Sequence, residues 1–142
     1  MADCITALKK WTGKTRAITV YDSMVDEFTG WGLFTKIAGK RNIALVGITT
    51  DGDVFGGFYN DAVRGLNLYV KNTEVFAFSF ESHGRCMTPQ RFVVKVPNVE
   101  AGVMCSRNNP NGFIHFWVDG GAAFWLGNEK SLSQCRVLSK VF

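Results

Sequence analysis

The dipeptide Asp51-Gly52 stands between two apolar runs of strand length, and it constrains the fold more than any other feature of the sequence. The runs cover Asn42 to Thr49 and Val54 to Tyr59. Glycine adopts the positive φ angles of a tight hairpin turn without steric cost, and aspartate tolerates them. The pattern therefore predicts a β-hairpin built from these two strands.

Further strand-length segments follow, separated by turn residues. In one of them, Glu74 to Glu81, apolar and polar positions alternate so that Phe76, Phe78 and Phe80 share a face. The other predicted strands are Arg16–Tyr21, Arg91–Val96, Phe113–Val118, Ala122–Leu126 and Gln134–Phe142. Many short strands with regular turn punctuation are typical of an antiparallel sandwich.

Two helices are predicted before the hairpin. Asp3 to Trp11 carries an apolar face, with Asp3 as the capping residue, and Gly13 follows as a stop signal. Thr29 to Ala38 also carries an apolar face and is closed by Gly39. The predicted fold is therefore α+β and mainly β: a single domain over residues 1–142, formed by an antiparallel two-sheet β-sandwich flanked by short helices.

Composition excludes several classes of protein. Of the 142 residues, 46% are apolar and 20% are charged, which is enough for a core and argues against a disordered chain. No apolar run approaches the roughly 20 residues that a transmembrane helix needs, and no leader sequence is visible, so a cytoplasmic protein is expected. The net charge of +4 comes from scattered basic residues rather than a dense patch, so no nucleic-acid partner is expected.

The cysteines do not form a recognisable metal or redox motif. No two of them have the close spacing of a zinc site or a redox dithiol; they are Cys4, Cys86, Cys105 and Cys135. Free thiols in a reducing compartment are expected, with no metal and no cofactor. Asp51 and Asp53 lie two residues apart but lack the further oxygen ligands of a calcium loop, so the hairpin turn accounts for both.

Two alternatives to a purely structural interpretation remain open. His83 and Cys86 form a His-x-x-Cys spacing, which makes Cys86 a candidate reactive thiol and His83 its base in a redox sensor or enzyme. The second alternative is a weak binder of single-stranded nucleic acid, in which aromatic rings on adjacent strands stack bases. The rings in question, for which core positions are the preferred interpretation, are Phe55, Phe58, Phe76, Phe78 and Phe80.

The order of motifs resembles the TLDc (TLDd) domain family. Tyr21-Asp22-Ser23 before a helix is similar to the Tyr-Ser-Ser-like stretch of that family. The apolar strand, Asp-Gly turn and Phe-Gly-x-Phe/Tyr strand of the family look like residues 39–58. Its later motifs are similar to Val75–Phe80, Gly112–Phe116, Ala123–Leu126 and Ser131–Cys135. The closing Thr-Phe-x-Asn-x-x-Leu motif has no counterpart in residues 137–142, so the chain resembles a divergent, shortened, stand-alone member of the kind found in amoeboid protists.

The resemblance implies a non-catalytic protein-interaction module rather than an enzyme. Family members are associated with resistance to oxidative stress and with binding the vacuolar proton-pumping ATPase, so the resemblance implies that ATPase as the partner and the surface of acidic organelles as the location. It carries over no catalytic residue. The matching positions, together with the turn aspartate, are expected to determine the fold: Asp51, Gly52, Phe55, Gly56 and Phe58.

Overall fold

The computed structural model describes residues 2–66, 68, 70–71, 74–93, 101–105, 114–118, 121–126 and 134–135. Within these residues, two helices come first and short strands follow. The helices are α1 (Ala2–Thr12) and α2 (Gly30–Ile37). The strands are β1 (Ile43–Ile48), β2 (Val54–Tyr59), β3 (Val70–Lys71), β4 (Phe76–Glu81), β5 (Gln90–Val93), β6 (Ala101–Cys105), β7 (Ile114–Val118), β8 (Gly121–Leu126) and β9 (Gln134–Cys135).

The described strands form two antiparallel sheets. The first has the order β1-β2-β4-β5, and the second has the order β3-β6-β7-β8-β9. Neighbouring strands are antiparallel in both sheets. The prediction of an antiparallel α+β fold with two short helices is thus confirmed.

The hairpin predicted from Asp51-Gly52 joins β1 to β2. Ile48 pairs with Val54 at the turn end of the hairpin, and Ile43 pairs with Tyr59 at the other end. Gly52 has a φ of +88°, and its N–H donates to the Thr49 carbonyl over 3.0 Å. The turn therefore needs the backbone freedom of glycine at the position that the sequence indicates.

One face of the first sheet is covered by α1. Phe58 of β2 and the three alternating phenylalanines of β4 form a buried cluster with Cys4 and Ala7 of the helix. We call the face that carries these four rings the phenylalanine face. The Trp11 ring stacks on Phe80, with centroids 5.8 Å apart and planes 10° from parallel. The predicted alternation of Phe76, Phe78 and Phe80 is confirmed, and its apolar side faces a helix.

The opposite face of the first sheet packs on α2 and on β7. Leu45 and Tyr59 alternate with the residues of the phenylalanine face and belong to a second buried cluster. This cluster also contains residues of α2 and β7, namely Leu33, Ile37, Ile114 and Phe116. Because both faces are covered at the centre of the sheet, the central strands carry large apolar residues at successive positions, such as Phe58 and Tyr59.

Both predicted helices are present, with boundaries close to the expected ones. The helix α1 begins at Ala2, so Asp3 lies in its first turn and does not precede it as a cap. Thr29 caps α2, because its Oγ1 accepts the Gly32 N–H over 3.0 Å. Gly13 and Gly39 follow the two helices with φ angles of +69° and +72°. Both glycines end their helices as the sequence predicts.

The strand predicted over Arg16–Tyr21 is wrong. These residues belong to no sheet in the structure; Val20 and Tyr21 pack against the second cluster, while Ile18 remains 76% exposed. Strand propensity expresses how well a side chain fits a paired, half-buried surface. No described strand pairs with this segment, so its propensity has no effect.

The structure contains two strands that the sequence pattern does not predict, β3 and β6. Three of the predicted strands extend into residues that the structure does not describe. The strand β3 has only two residues, and β6 (Ala-Gly-Val-Met-Cys) has neither aromatic residues nor clear alternation. Of the predicted strands, residues 94–96, 113 and 136–142 lie outside the part of the chain that the structure describes.

Candidate functional site

The loop from β4 to β5 contains both residues of the predicted His-x-x-Cys pair. Ser82 organises this loop: its Oγ accepts the Cys86 N–H over 3.0 Å and donates to the Cys86 carbonyl over 3.1 Å. His83 and Gly84 turn the chain, with φ angles of +52° and +83°. The spacing of His83 and Cys86 is therefore the spacing of a closed turn.

The His83 side chain faces the β1–β2 hairpin instead of Cys86. Its Nδ1 lies 2.7 Å from Asp53 Oδ1, and an ionised carboxylate can only accept, so Nδ1 carries the proton. Arg85 forms an ion pair with the other oxygen of Asp53. We call Asp53, His83 and Arg85 the hairpin latch, because they connect the β1–β2 turn to the β4–β5 loop.

The surroundings of the latch lower the pKa of two carboxyl groups, Asp53 in the latch and Glu81 beside it. The Arg85 guanidinium holds the pKa of the Asp53 carboxyl below its ordinary value, and the His83 imidazole adds to this effect. The Glu81 carboxylate accepts hydrogen bonds from the backbone N–H groups of His83 and Ser82, and these bonds, rather than a charged partner, lower its pKa. The pKa of Arg85 is raised by Asp53. The latch is therefore a charged structural contact at the surface, with His83 and Arg85 both more than half exposed.

The Cys86 thiol has different neighbours from His83. Its Sγ lies 3.3 Å from the Oγ atoms of both Ser79 and Ser82, which are buried. A thiol is activated by a nearby base or cation that stabilises the thiolate. The groups that contact Sγ here are hydroxyls, and the charge of the neighbouring Arg85 guanidinium acts on it only through space. The structure thus places the two predicted residues in one loop without bringing Cys86 Sγ into contact with the imidazole.

The hairpin motif predicted from the sequence lies partly in the turn and partly in the core. Asp51 and Gly52 form the exposed turn, while Phe55 and Phe58 belong to opposite faces of β2. Gly56 is in close contact with the neighbouring strands: a Cβ added there would overlap the Leu45 carbonyl and lie 2.6 Å from the Phe78 ring. Glycine at position 56 allows β1, β2 and β4 to pack this closely.

The aromatic residues that could have stacked nucleic-acid bases are covered. Phe58, Phe76, Phe78 and Phe80 are 2–7% exposed, and α1 with Trp11 lies over them. Phe55 packs against the second cluster on the other face. A base-stacking platform needs ring faces open to solvent, and these faces are occupied by protein side chains.

A surface feature that sequence reasoning missed lies between Tyr21 and Phe28. Met24 and Val25 are 90% and 83% exposed at the tip of a turn, which we call the apolar turn (residues 22–26). The signal in the sequence is two large apolar residues between acidic ones, in Asp-Ser-Met-Val-Asp. The flanking Tyr21 and Phe28 pack against the second core cluster, so the base of the turn is anchored.

Hydrogen bonds fix the shape of the apolar turn. The Asp22 carbonyl accepts the N–H groups of Val25 and Asp26 over 3.0 and 2.7 Å, and Asp22 Oδ1 accepts the Met24 N–H over 2.9 Å. In return, Asp26 Oδ2 accepts the Asp22 N–H over 2.8 Å. Lys36 of α2 forms an ion pair with Asp26 over 3.2 Å. The turn therefore holds Met24 and Val25 in solvent in a defined geometry.

Three further observations bear on the function of the chain. Among the described residues, no group of three or more histidine, cysteine or acidic side chains is arranged to hold a metal ion. Neither helix in the described part of the chain has the length and apolar character needed to cross a membrane. No protein-family model, curated protein or solved structure matches this chain.

Proposed function

We propose that this chain is a non-catalytic protein-interaction module of TLDc type, and that the apolar turn is its contact surface. The observation that carries the proposal is the exposure of Met24 and Val25 on a turn that hydrogen bonds hold rigid. Large apolar side chains fully exposed on an ordered loop are typical of a binding surface, because the loop loses little conformational freedom when it binds.

The charges around the turn indicate the chemistry of the partner. Asp22 and Glu27 are exposed beside the apolar tip, whereas Asp26 forms an ion pair with Lys36. A partner surface with an apolar pocket and a basic rim would complement this arrangement. The resemblance to the TLDc family makes the vacuolar proton-pumping ATPase the first partner to test and resistance to oxidative stress the associated cellular role, at the surface of acidic organelles.

The finer arrangement of the fold is part of the same proposal. We expect the two sheets to face each other as a β-sandwich in one domain, with the helices outside. The packing of Phe116 from the second sheet beside Gly57 of the first supports this arrangement, as does the shared burial of Ile114 and Leu45. In a sandwich, the inner faces of two sheets interdigitate in this way.

The experiment is a direct binding measurement with purified vacuolar proton-pumping ATPase immobilised on a biosensor. The wild-type chain is expected to bind, and the double variant Met24→Ser/Val25→Ser is expected to bind at least about tenfold more weakly, because buried anchor residues dominate interface energies. Ser23→Ala changes an exposed residue of the same turn and is the matched control. If the wild-type chain fails to bind, or if the double variant binds as tightly as Ser23→Ala, the proposal is wrong.

Thiol labelling tests the alternative in which Cys86 is a catalytic or sensing thiol. Because Cys86 Sγ contacts serine hydroxyls, we expect it to react with iodoacetamide at neutral pH no faster than a free model thiol. The matched comparison is the His83→Ala variant, which is expected to react at the same rate. Fast labelling that slows in this variant would favour the enzyme or redox sensor over the interaction module.

A further inference from the structure

The strand β1 lies at an edge of the first sheet as the described strands form it. Among the described strands, only β2 pairs with it, and the register between them has no irregularity. The outer side of an edge strand presents a row of backbone N–H and C=O groups that can pair with another strand. Proteins usually block such edges with lysine, proline or a bulge. The sequence of β1, Ile-Ala-Leu-Val-Gly-Ile, contains neither a charged residue nor a proline.

Apolar side chains of β1 are exposed on one face of the sheet. Val46 and Ile48 are 39% and 62% exposed, whereas Ile43 and Leu45 are 8% and 7% exposed. Alternation along the strand places Val46 and Ile48 on the same side as Ala44, which packs beside the phenylalanine face. The edge therefore offers backbone groups that no described strand pairs with, together with an apolar stripe.

We infer that β1 is a dimerisation edge, at which the β1 strands of two copies of this chain pair antiparallel. Two first sheets then join into one continuous sheet, with a two-fold axis beside Val46. In this register Val46 faces Val46 of the second copy, and Ala44 faces Ile48. Because a two-fold axis perpendicular to the sheet keeps each face on its own side, the apolar stripes of the two copies meet.

The charges that flank β1 favour a second copy over an unrelated strand. Lys40 and Arg41 precede the strand, and Asp51 follows it in the hairpin turn; Arg41 and Asp51 are equally far from Val46 along the chain. Arg41 forms an exposed ion pair with Asp61 of its own chain over 3.3 Å. Antiparallel pairing about Val46 brings Arg41 of each copy towards Asp51 of the other, so that Arg41 exchanges Asp61 for this carboxylate and the contact forms twice. A parallel arrangement would place like charges together instead. The edge is thus complementary to itself in the antiparallel orientation.

Sedimentation of the full chain over a rising concentration series tests this inference. The wild-type mass is expected to rise from 15.8 kDa towards twice that value. In Val46→Lys, two lysines would face each other across the axis, and we expect the mass to stay at 15.8 kDa over the same series. The matched control is Val93→Lys, since Val93 is 49% exposed on β5 at the other edge of the sheet. This control is expected to dimerise as the wild type does.

Charge exchange tests the register and the orientation. Arg41→Asp and Asp51→Arg each place like charges together in a homodimer, so each variant alone is expected to dimerise at least about tenfold more weakly. In an equimolar mixture, opposite charges meet again at both contacts, and the dimer is expected to return. The loss of the Arg41–Asp61 ion pair in the first variant is a minor effect because that pair is exposed.

Several results would overturn the inference. These are a wild-type chain that stays monomeric at every concentration, a Val46→Lys variant that still dimerises, a Val93→Lys variant that does not, or a mixture of charge variants that stays monomeric. The measurement is separate from the proposed function, because Met24→Ser/Val25→Ser leaves β1 unchanged and is expected to dimerise like the wild type.

Discussion

Individual residues decide whether the two loops at one end of the first sheet stay together. Asp53 in the β1–β2 turn accepts a hydrogen bond from His83 and forms an ion pair with Arg85, and both of these residues belong to the β4–β5 loop. The sequence could not predict this contact, because His83 lies 30 positions from Asp53 and only the pairing of β2 with β4 brings them together. The Asp51-Gly52 turn was predictable, because a positive φ at Gly52 is a local property of the backbone.

The latch predicts an acid-sensitive contribution to stability. The folded-state pKa of Asp53 lies below its ordinary value of 3.8, chiefly because of Arg85. The stabilisation of the folded state by this carboxylate is therefore fully present at pH values above 3.8. It is lost as the pH falls from 3.8 through the lower folded-state pKa. We expect Asp53→Asn to be less stable than the wild type at neutral pH and to lose less stability on acidification through this window.

Urea unfolding at a series of pH values measures this difference. Asp51→Asn is the control at concentrations where the chain is monomeric, because it removes the same charge from the same turn and Asp51 raises the pKa of Arg85 less than Asp53 does. The latch has no energetic role if the two variants show the same pH dependence.

At the scale of elements, α1 covers the phenylalanine face mainly through one residue. The Trp11 ring contacts Phe76, Phe78 and Phe80 with centroid distances of 5.8–6.4 Å. Trp11→Ala removes all three ring contacts and is expected to lower the free energy of unfolding by on the order of 2–4 kcal/mol, below the cost at a fully buried site because the ring is partly exposed. Chemical denaturation gives the value.

A neighbouring substitution separates packing from helix propensity. Lys10→Ala changes an exposed residue of the same helical turn, so its free energy of unfolding is expected to stay close to that of the wild type. A Trp11→Ala variant that unfolds at the same urea concentration as Lys10→Ala would contradict the assignment of α1 as the cover.

The elements that the sequence predicted well are those defined by local signals. The helix α2 has a capping threonine before it and a glycine after it, and the hairpin has its turn between two apolar runs. The segment Arg16–Tyr21 has strand composition, but composition does not say whether a pairing partner exists. The apolar turn was missed for a related reason. The sequence shows that Met24 and Val25 are apolar, but their exposure depends on how Tyr21 and Phe28 pack.

At the scale of the whole molecule, the contact between the two sheets depends on a small residue facing a large one. A Cβ added at Gly57 would overlap the ring of Phe116, with ring carbons at 2.6 and 2.7 Å. Gly57→Ala is therefore expected to destabilise the protein by about 1–3 kcal/mol through overpacking. In the background of Phe116→Leu, which removes the ring, the same substitution is expected to cost at least about 1 kcal/mol less.

A double-mutant cycle measured by urea unfolding provides the test. If the losses in free energy of unfolding of the two single variants simply add in the double variant, Gly57 and Phe116 do not contact each other. The face-to-face arrangement of the sheets would then lose its main support. The sequence alone could not identify this pair, because Gly56 and Gly57 are adjacent and only the pleat of β2 determines which of them faces the second sheet.

The order of α1 and β4 along the chain has a consequence during synthesis on the ribosome. The helix leaves the exit tunnel well before Phe76, Phe78 and Phe80, which it covers in the folded protein. When these rings emerge, Trp11 and Ala7 are already available to pack on them. The residues of α1 that bury the phenylalanine face are therefore already synthesised when this apolar face emerges. This order shortens the time in which chaperones or other nascent chains can bind the exposed rings.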